Sequence, residues 1–319
     1  MTETKSWARE YLDRARPRIA GRAEEKVAMK NYTTFRIGGF ADVMVWPKNT
    51  DDLEAAICVA KEMGIEWDVL GAGSNLLVGD GGIEMVMINM NESFKNMDVA
   101  EQAREADEGD SVSVVFGAGL KLPFAAKQCQ DEGIAGFEFA SGIPGSVGGA
   151  VIMNAGSMGE QMEDVLEWVE WYVPETGMER IFSKDLKYEY RRLHKPERAI
   201  ITGCSVSLNK DDPRRIRERI VKGLKWRRNN QPLSYPSAGS VFKNPSDYFA
   251  GRLIEDAGLK GKRKDDAQIS ELHANFIINR GRARSRDVLA LIDLVREEVE
   301  RQFKVSLELE IKTIGKEIS

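Results

Sequence analysis

Two glycine-rich stretches have the composition to hold a ligand. Gly71-Ala72-Gly73-Ser74-Asn75 follows a strand-like run, Ile65–Leu70, and leads to another, Ile83–Asn89. Its glycines let backbone N–H groups converge into an anion-binding nest, and Ser74 and Asn75 add side-chain donors. A phosphate site is one reading of this loop and a plain glycine turn is the other. The second stretch, Gly133 to Gly159, carries eight glycines (133, 136, 142, 145, 148, 149, 156 and 159) and a single charge, Glu138. So many glycines in one place mean positive φ or close approach to something bulky. Phe137, Phe139, Ile143, Val147, Val151, Ile152 and Met153 within it favour burial. A buried, uncharged, glycine-paved loop suits a large flat ligand with a polyphosphate; tightly packed turns without a ligand are the alternative.

Other chemistries find few residues. There are two histidines, His194 and His273, so a His-based metal site or a Ser-His-Asp triad has little support and no metal is expected. Cys58, Cys129 and Cys204 are far apart, form no CxxC, and read as reduced core residues. The 319 residues are 42% hydrophobic and 30% charged with net charge −5. That balance fits a soluble globular protein of two or three domains and argues against general nucleic-acid or anionic-membrane binding. No apolar run has the length of a membrane span and the N-terminus is charged throughout, which predicts a cytoplasmic protein.

Gly71-x-Gly73 after a strand invites a dinucleotide-fold reading, and the rest of that fingerprint is missing. Position 76 is Leu where a third glycine would stand, and Gly79, Gly81 and Gly82 interrupt the chain where a helix would follow. The acid expected about twenty residues on, to hold a ribose, is absent; the nearest candidates are Asn89 and Asn91. The unit is strand–loop–strand.

Around these loops the spacing predicts the positioning elements. Residues 5–28 show helical periodicity (Trp7, Tyr11, Ile19) broken at Pro17, a solvated helical preamble within 1–30. A strand Ala41–Trp46 precedes a helix capped by Asp51 or Asp52 and stopped by Gly64, with Leu53, Ala56, Ile57, Ala60 and Met63 on one face. Strand Val112–Phe116, helix Leu122–Glu132, a hairpin of Val165–Val173 and Glu179–Phe182 turning at Pro174–Gly177, and strand Ala199–Leu208 follow. Helix 213–228 carries eight basic residues and one acid, Glu218. It reads as a solvated surface helix, with a nucleic-acid face or a positive field for a phosphorylated small molecule as the other possibilities. Beyond the Pro-rich loop Gln231–Pro245 come helix Phe249–Ala257, strand Phe276–Asn279, helix Ser285–Phe303 with Val288, Leu291, Ile292, Val295 and Val299 on one face, and strand Val305–Ile311. This last region reads as a small separate domain, roughly 209–319.

Several segments together resemble the UDP-N-acetylenolpyruvoylglucosamine reductase family in its shorter type, without an insertion in the third domain. They are Asn31–Gly38, Gly71–Leu77, Gly142–Gly149 with Asn154-Ala155-Gly156, Tyr190-Arg191, Tyr235–Pro245, His273–Asn279, and Leu307–Glu310 with Ile314-Gly315, all in the family's order. The resemblance implies an α+β FAD-binding fold of the vanillyl-alcohol-oxidase/PCMH type, with subdomains at 31–95 and 96–208 and a C-terminal α/β substrate domain at 209–319. It implies FAD held by Thr34, Arg36, Gly71, Ala72, Gly73, Ser74, Asn75, Leu76, Gly142, Ile143, Pro144, Gly145, Ser146, Gly149, Asn154 and Gly156. NADPH would be the co-substrate and UDP-N-acetylglucosamine enolpyruvate the small-molecule substrate, in peptidoglycan precursor synthesis, by a monomer that binds neither nucleic acid nor membrane.

The resemblance also implies roles at the reacting centre. Ser240 would protonate the α-carbon, Arg191 would stabilise the enolate-like carboxylate, and Glu310 would polarise it as a neutral acid. Tyr190, Lys243, Asn244 and Asn275 would bind substrate, with the basic helix 213–228 adding field for its diphosphate. Two segments depart from the family pattern: Arg192-Leu193-His194-Lys195 after Arg191, and Met158 where the family usually has Tyr. A flavin oxidase of the wider superfamily and a nucleotide-sugar-binding regulator are the competing functions.

Overall fold

The computed structural model describes residues 6–99 and 107–317. The chain divides into two compact units. The first comprises Met1–Glu24, Met44–Ala72 and Val86–Trp226, and the second Glu25–Val43, Gly73–Met85 and Arg227–Ser319. This division cuts across the boundaries expected at 30/31, 95/96 and 208/209.

The N-terminal segment is helical only in part. Helix α1 (Trp7–Ala15) buries Tyr11, Leu12 and Ala15, a short 3-10 turn holds Pro17, and Arg22–Ala28 is a strand. That strand is an edge of a four-stranded sheet ordered Arg22–Ala28, Phe40–Trp46, Ile83–Asn89, Trp67–Leu70. Apolar Ala23 and Val27 in an otherwise charged run gave the sequence too little period-2 contrast to announce it. Helix α2 (Thr50–Glu62) is capped by Asn49, whose side chain accepts from the Asp52 N–H, and neither Asp51 nor Asp52 is the cap. Asp52 instead accepts from the backbone N–H groups of Ala20 and Lys48. Cys58 is on the exposed side of α2, not in the core; its Sγ is 3.4 Å from Glu62 Oε1.

The first unit holds a six-stranded sheet whose main path runs Gly177–Phe182, Leu166–Val173, Ile200–Lys210, Ser111–Gly117, Met97–Val99, with Ile134–Ala135 pairing on Ile200–Lys210. Its core packs Val112, Val114, Phe116, Val169, Cys204 and Val206 with residues of α3 (Leu122–Asp131) and α4 (Val147–Met153). The long basic helix α5 (Pro213–Asn230) follows.

In the second unit a three-stranded sheet (Arg263–Lys264, Ala267–Ile269, Ile277–Asn279) accompanies α6 (Ala250–Asp256) and α7 (Ser285–Phe303). All five expected apolar residues of α7 are buried, each worth about 1.5–3 kcal/mol relative to exposure. The expected strand Val305–Ile311 is not a ladder. Leu307 and Ile311 do point inward, but the segment makes one isolated bridge, Leu309 to Phe242, and regular parallel pairing starts only at Lys312–Ile314, against Leu76–Val78.

Candidate active site

In the first unit, the segment after Gly142 is laid down by backbone bonds to a neighbouring turn. The Gly145 carbonyl accepts from Leu122 N–H, and Val147 and Gly148 donate to the carbonyls of Leu120 and Ala118. A Cβ on Gly148 would be 2.9 Å from the Ala118 Cβ, and one on Gly156 would be 2.4 Å from the Glu160 carbonyl. Those two glycines therefore serve packing. Gly71 has another role: a Cβ there would come 2.9 Å from Ser146 Oγ. Ser146 is buried at the N-cap position of α4, yet its hydroxyl makes no capping bond. Gly149 also faces that hydroxyl, at 3.5 Å from the built Cβ. The Gly71 carbonyl is fixed by Asn91 Nδ2 at 2.7 Å, so the asparagine that stands in place of a ribose-binding acid holds the loop itself. Gly142 and Gly145 are half-buried, as are Ala72 and Ile143, and Pro144 is exposed.

Tyr190 and Arg191 form the two-residue turn of a hairpin between Lys187–Glu189 and Arg192–His194. Arg191 sits in the left-handed region at φ 60°, a conformation costing a non-glycine residue about 1 kcal/mol or more. Its Nη1 donates to the Asn154 carbonyl at 2.9 Å. Asn154 is itself left-handed (φ 42°) as the C-cap of α4, and its Oδ1 accepts from Glu163 N–H. Two strained residues thus hold each other and fix one edge of the guanidinium. The segment after Arg191 supports the turn in its own way: Leu193 is buried and His194 Nε2 is 3.0 Å from Glu189 Oε1. Met158 reaches toward α5, where a Cβ on Gly223 would be 3.1 Å from its sulfur.

In the second unit, the loop Gly73–Asn75 is joined to Thr34 and to the C-terminal segment. Gly73 has φ 61°, and a Cβ there would be 2.0 Å from the Tyr32 carbonyl, so only glycine fits. Thr34 N–H donates to the Gly73 carbonyl and Thr34 Oγ1 to the Ser237 carbonyl. Asn75 Nδ2 donates to the Glu310 carbonyl at 3.0 Å, and Lys312 N–H to the Asn75 carbonyl. Glu310 N–H donates to the carbonyl of Val241, the residue after Ser240, at 2.8 Å. The structure therefore brings Ser240 and Glu310 onto adjacent backbone. Leu76 starts the strand that pairs with Lys312, and Arg36 is exposed and left-handed.

Ser240 lines a cavity of about 340 Å³ with Asn244, Phe249, Arg252, Glu255, Leu272 and His273 among its walls. Asn275 also borders it, but its carboxamide accepts from Phe242 N–H at 2.9 Å and donates to Phe242 C=O at 2.8 Å. Asn275, expected as a substrate contact, clamps the backbone two residues from Ser240 as well as bordering the cavity. Asn244 accepts from Ala250 N–H, and Lys243 pairs with exposed Glu308.

Sequence reasoning passed over Arg227. Its Nε is buried without a hydrogen-bond partner, the guanidinium has no ion pair among the described residues, and burial pushes its pKa down. The signal was available: Ile216, Ile220 and Gly223 are the buried residues of α5, and Arg227 continues that i, i+4, i+7 face. Elsewhere on α5 the field expected for a diphosphate is partly neutralised, because Arg215 pairs with Glu108 and Arg219 with Asp211 and Glu138.

A Ser146 hydroxyl that makes no capping bond, glycine loops that admit no side chain, and a half-buried cation with no ion pair among the described residues are each features that suit a nucleotide diphosphate such as FAD. Comparison with known proteins agrees. Residues 41–180 match the model of an FAD binding domain, and 231–314 that of the UDP-N-acetylenolpyruvoylglucosamine reductase C-terminal domain. Reductases so named from Alkaliphilus oremlandii (42% identical, covering 91% of this chain and 92% of that one) and Symbiobacterium thermophilum (41%; 93% and 94%) are similar throughout. The crystal structure of the Thermus caldophilus reductase superposes with TM-score 0.75 at 34% identity, over 92% of this chain and 100% of the other. With similarity of this extent in sequence and in fold, the chain belongs to the UDP-N-acetylenolpyruvoylglucosamine reductase family.

Proposed function

We propose that this chain reduces UDP-N-acetylglucosamine enolpyruvate to UDP-N-acetylmuramate, with FAD bound and NADPH as reductant, as a cytoplasmic monomer in peptidoglycan precursor synthesis. The observation that supports the reading is that Glu310 bonds to the backbone of Val241, the residue after Ser240, and that Ser240 itself lines a cavity. When bound by the residues named below, FAD would supply the hydride chemistry, relaying hydride from NADPH to the β-carbon of the enolpyruvyl ether. Hydride at that carbon leaves negative charge on the α-carbon and its carboxylate, which calls for a cation or donors at the carboxylate and an acid at the carbon.

Ser240 fits the acid's role. A hydroxyl is a weak acid, adequate only toward a carbanion-like base held in contact, and the Ser240 hydroxyl makes no competing hydrogen bond among the described residues. Arg191, one edge fixed on Asn154, offers its guanidinium to the carboxylate. Glu310 serves as a neutral acid at the same group. FAD is assigned to Gly71, Ala72, Gly142–Ser146, Gly149, Asn154 and Gly156 of the first unit, and to Thr34, Arg36 and Gly73–Leu76 of the second. Tyr190, Lys243, Asn244 and Asn275 are assigned to substrate, with segments 31–95 and 96–208 holding the cofactor and 209–319 the substrate.

Holoenzyme bleached by NADPH under nitrogen is expected to regain its absorbance on adding the enolpyruvyl substrate. In S240A, bleaching is expected to persist while product formation falls by orders of magnitude. Colour returning only with air would instead assign an oxidase, and unchanged turnover in S240A would remove the serine from its role.

A further inference from the structure

The Tyr190-Arg191 turn has a geometry that its hairpin does not select. A two-residue turn that follows the twist of its strands has its first residue left-handed. Here the first, Tyr190, is not left-handed, and the second, Arg191, is. The hairpin is also a sheet of two strands only, Lys187–Glu189 and Arg192–His194, a unit of marginal stability by itself. Contacts outside the hairpin therefore impose the turn, and they converge on the C-terminal end of α4. Leu193 is buried in one core with Val147, Ala150 and Val151 of that helix, and Tyr188 packs against the same core. The Tyr188 hydroxyl donates to the Val151 carbonyl at 3.1 Å. That carbonyl is among the last of the helix, which lack the usual donor four residues on; the Ala155 N–H goes to Ala150 instead. Burial raises the Tyr188 phenol above its ordinary pKa, so it stays protonated and a donor. Three residues after Val151, the Asn154 carbonyl accepts from Arg191 Nη1 at 2.9 Å.

One bond from a strand of the hairpin and one from its turn thus end on the same stretch of helix. We propose that the Tyr188 hydroxyl is a positioning group for Arg191: by tying the hairpin to the last turn of α4, it sets where the guanidinium meets the substrate carboxylate. This rests on the functional reading above, in which Arg191 acts on that carboxylate. Without the hydroxyl the ring still packs, and the hairpin keeps its place against the core. The turn, however, can then relax from its strained φ and carry the guanidinium with it.

Y188F removes the hydroxyl alone. In Y188F holoenzyme, bleaching by NADPH is expected to keep its rate, since the enolpyruvyl carboxylate is absent from that half of the reaction. Single-turnover return of colour with the enolpyruvyl substrate is expected to slow about tenfold, with substrate Kd changed less. A cycle with R191K separates positioning from an action of the hydroxyl itself: Y188F/R191K is expected to lose little beyond R191K. An unchanged rate in Y188F would overturn the proposal, as would a full rate in R191K, which would leave nothing to position. A further tenfold loss on top of R191K would also overturn it, by giving the hydroxyl an effect independent of Arg191. Lost flavin or a collapsed thermal midpoint in Y188F would overturn it too and assign the hydroxyl to the fold alone. Wild-type holoenzyme that fails to regain colour with the substrate would instead remove the functional reading, and this inference with it.

Discussion

The Asn275 clamp allows a prediction with a worked magnitude. Both backbone groups of Phe242 are bonded by one buried carboxamide that is 4% exposed. In N275A an N–H and a C=O lose their partners together. At about 1–3 kcal/mol for each buried group left unsatisfied, the loss is about 2–6 kcal/mol, a large part of a typical domain's stability. N275D divides the effect. Its carboxylate still accepts from Phe242 N–H, but its other oxygen now faces the Phe242 carbonyl with no proton between them, which favours the protonated acid. The introduced carboxyl thus has a folded-state pKa raised above its unfolded value. Its stabilising contribution is complete below the unfolded pKa and is lost as pH rises through the folded one. Urea unfolding of the holoenzyme followed by tryptophan fluorescence should therefore show N275D closer to wild type at pH 5 than at pH 7, and N275A equally weakened at both. Because Phe242 lies two residues from Ser240, kcat for enolpyruvyl reduction should fall in the same order. A loss under about 1 kcal/mol in N275A, or an N275D whose deficit ignores pH, would refute the clamp.

Other sites separate fold from ligand. G73A meets both a positive φ and the Tyr32 carbonyl 2.0 Å from the new Cβ, whereas G159A at φ 92° has nothing within 4 Å; FAD content should collapse in the first, while the second loses about 1 kcal/mol in thermal unfolding. In R227M the apoprotein should be as stable as wild type or more so, since a cation with no ion pair among the described residues leaves a half-buried site, while FAD retention or substrate KM worsens; unaltered binding would exclude an anion partner for Arg227. Because native His273 is held below its ordinary pKa by burial, which outweighs a backbone hydrogen bond that favours the charged ring, the unfolded chain takes up a proton first as pH falls past about 6.5. Stability should drop there with a slope up to about 1.4 kcal/mol per pH unit, and H273Q should remove that component from the pH profile of unfolding.

Much of this was legible in the sequence because apolar periodicity and glycine stops act locally. Helix α7 and strand Ile83–Asn89 coincide with their expected bounds, and no helix follows Gly71–Gly73, although the expected loop Gly71–Gly82 itself holds the short strand Leu76–Val78. The failures share a cause: the deciding partner is distant along the chain. Arg22–Ala28 is a strand because a sheet edge receives it, and the Asp52 side chain is not the cap of α2 because the backbone N–H groups of Ala20 and Lys48 engage it. The glycines were ambiguous for the same reason. Composition could not distinguish Gly148, which admits the Ala118 methyl, from Gly71, which stands over an unbonded Ser146 hydroxyl. That Asn275 clamps the Phe242 backbone was not legible either, because a polar residue in a family motif carries no mark of the direction in which its amide turns.

The bonds of the second unit also explain why its site residues are so widely spread along the chain. Thr34 bonds to Gly73 and Ser237, Asn75 to Glu310, Glu310 to Val241, and Phe242 to Asn275, whose own N–H orients His273. Each link uses a backbone group at one end at least, so the geometry depends on chain path more than on any one side chain's freedom. A hydroxyl as weakly acidic as that of Ser240 can work only if its carbon target is met at a fixed distance, since a misplacement of about 1 Å can cost two orders of magnitude in rate. A network closed through five separate segments resists such drift better than a loop held at its two ends. It also couples the glycine turn to the acid: loosening Asn75 displaces Glu310, and through Val241 the serine. Variants in the glycine loop should on that account lower the rate of enolpyruvyl protonation even in the fraction of enzyme that retains its flavin.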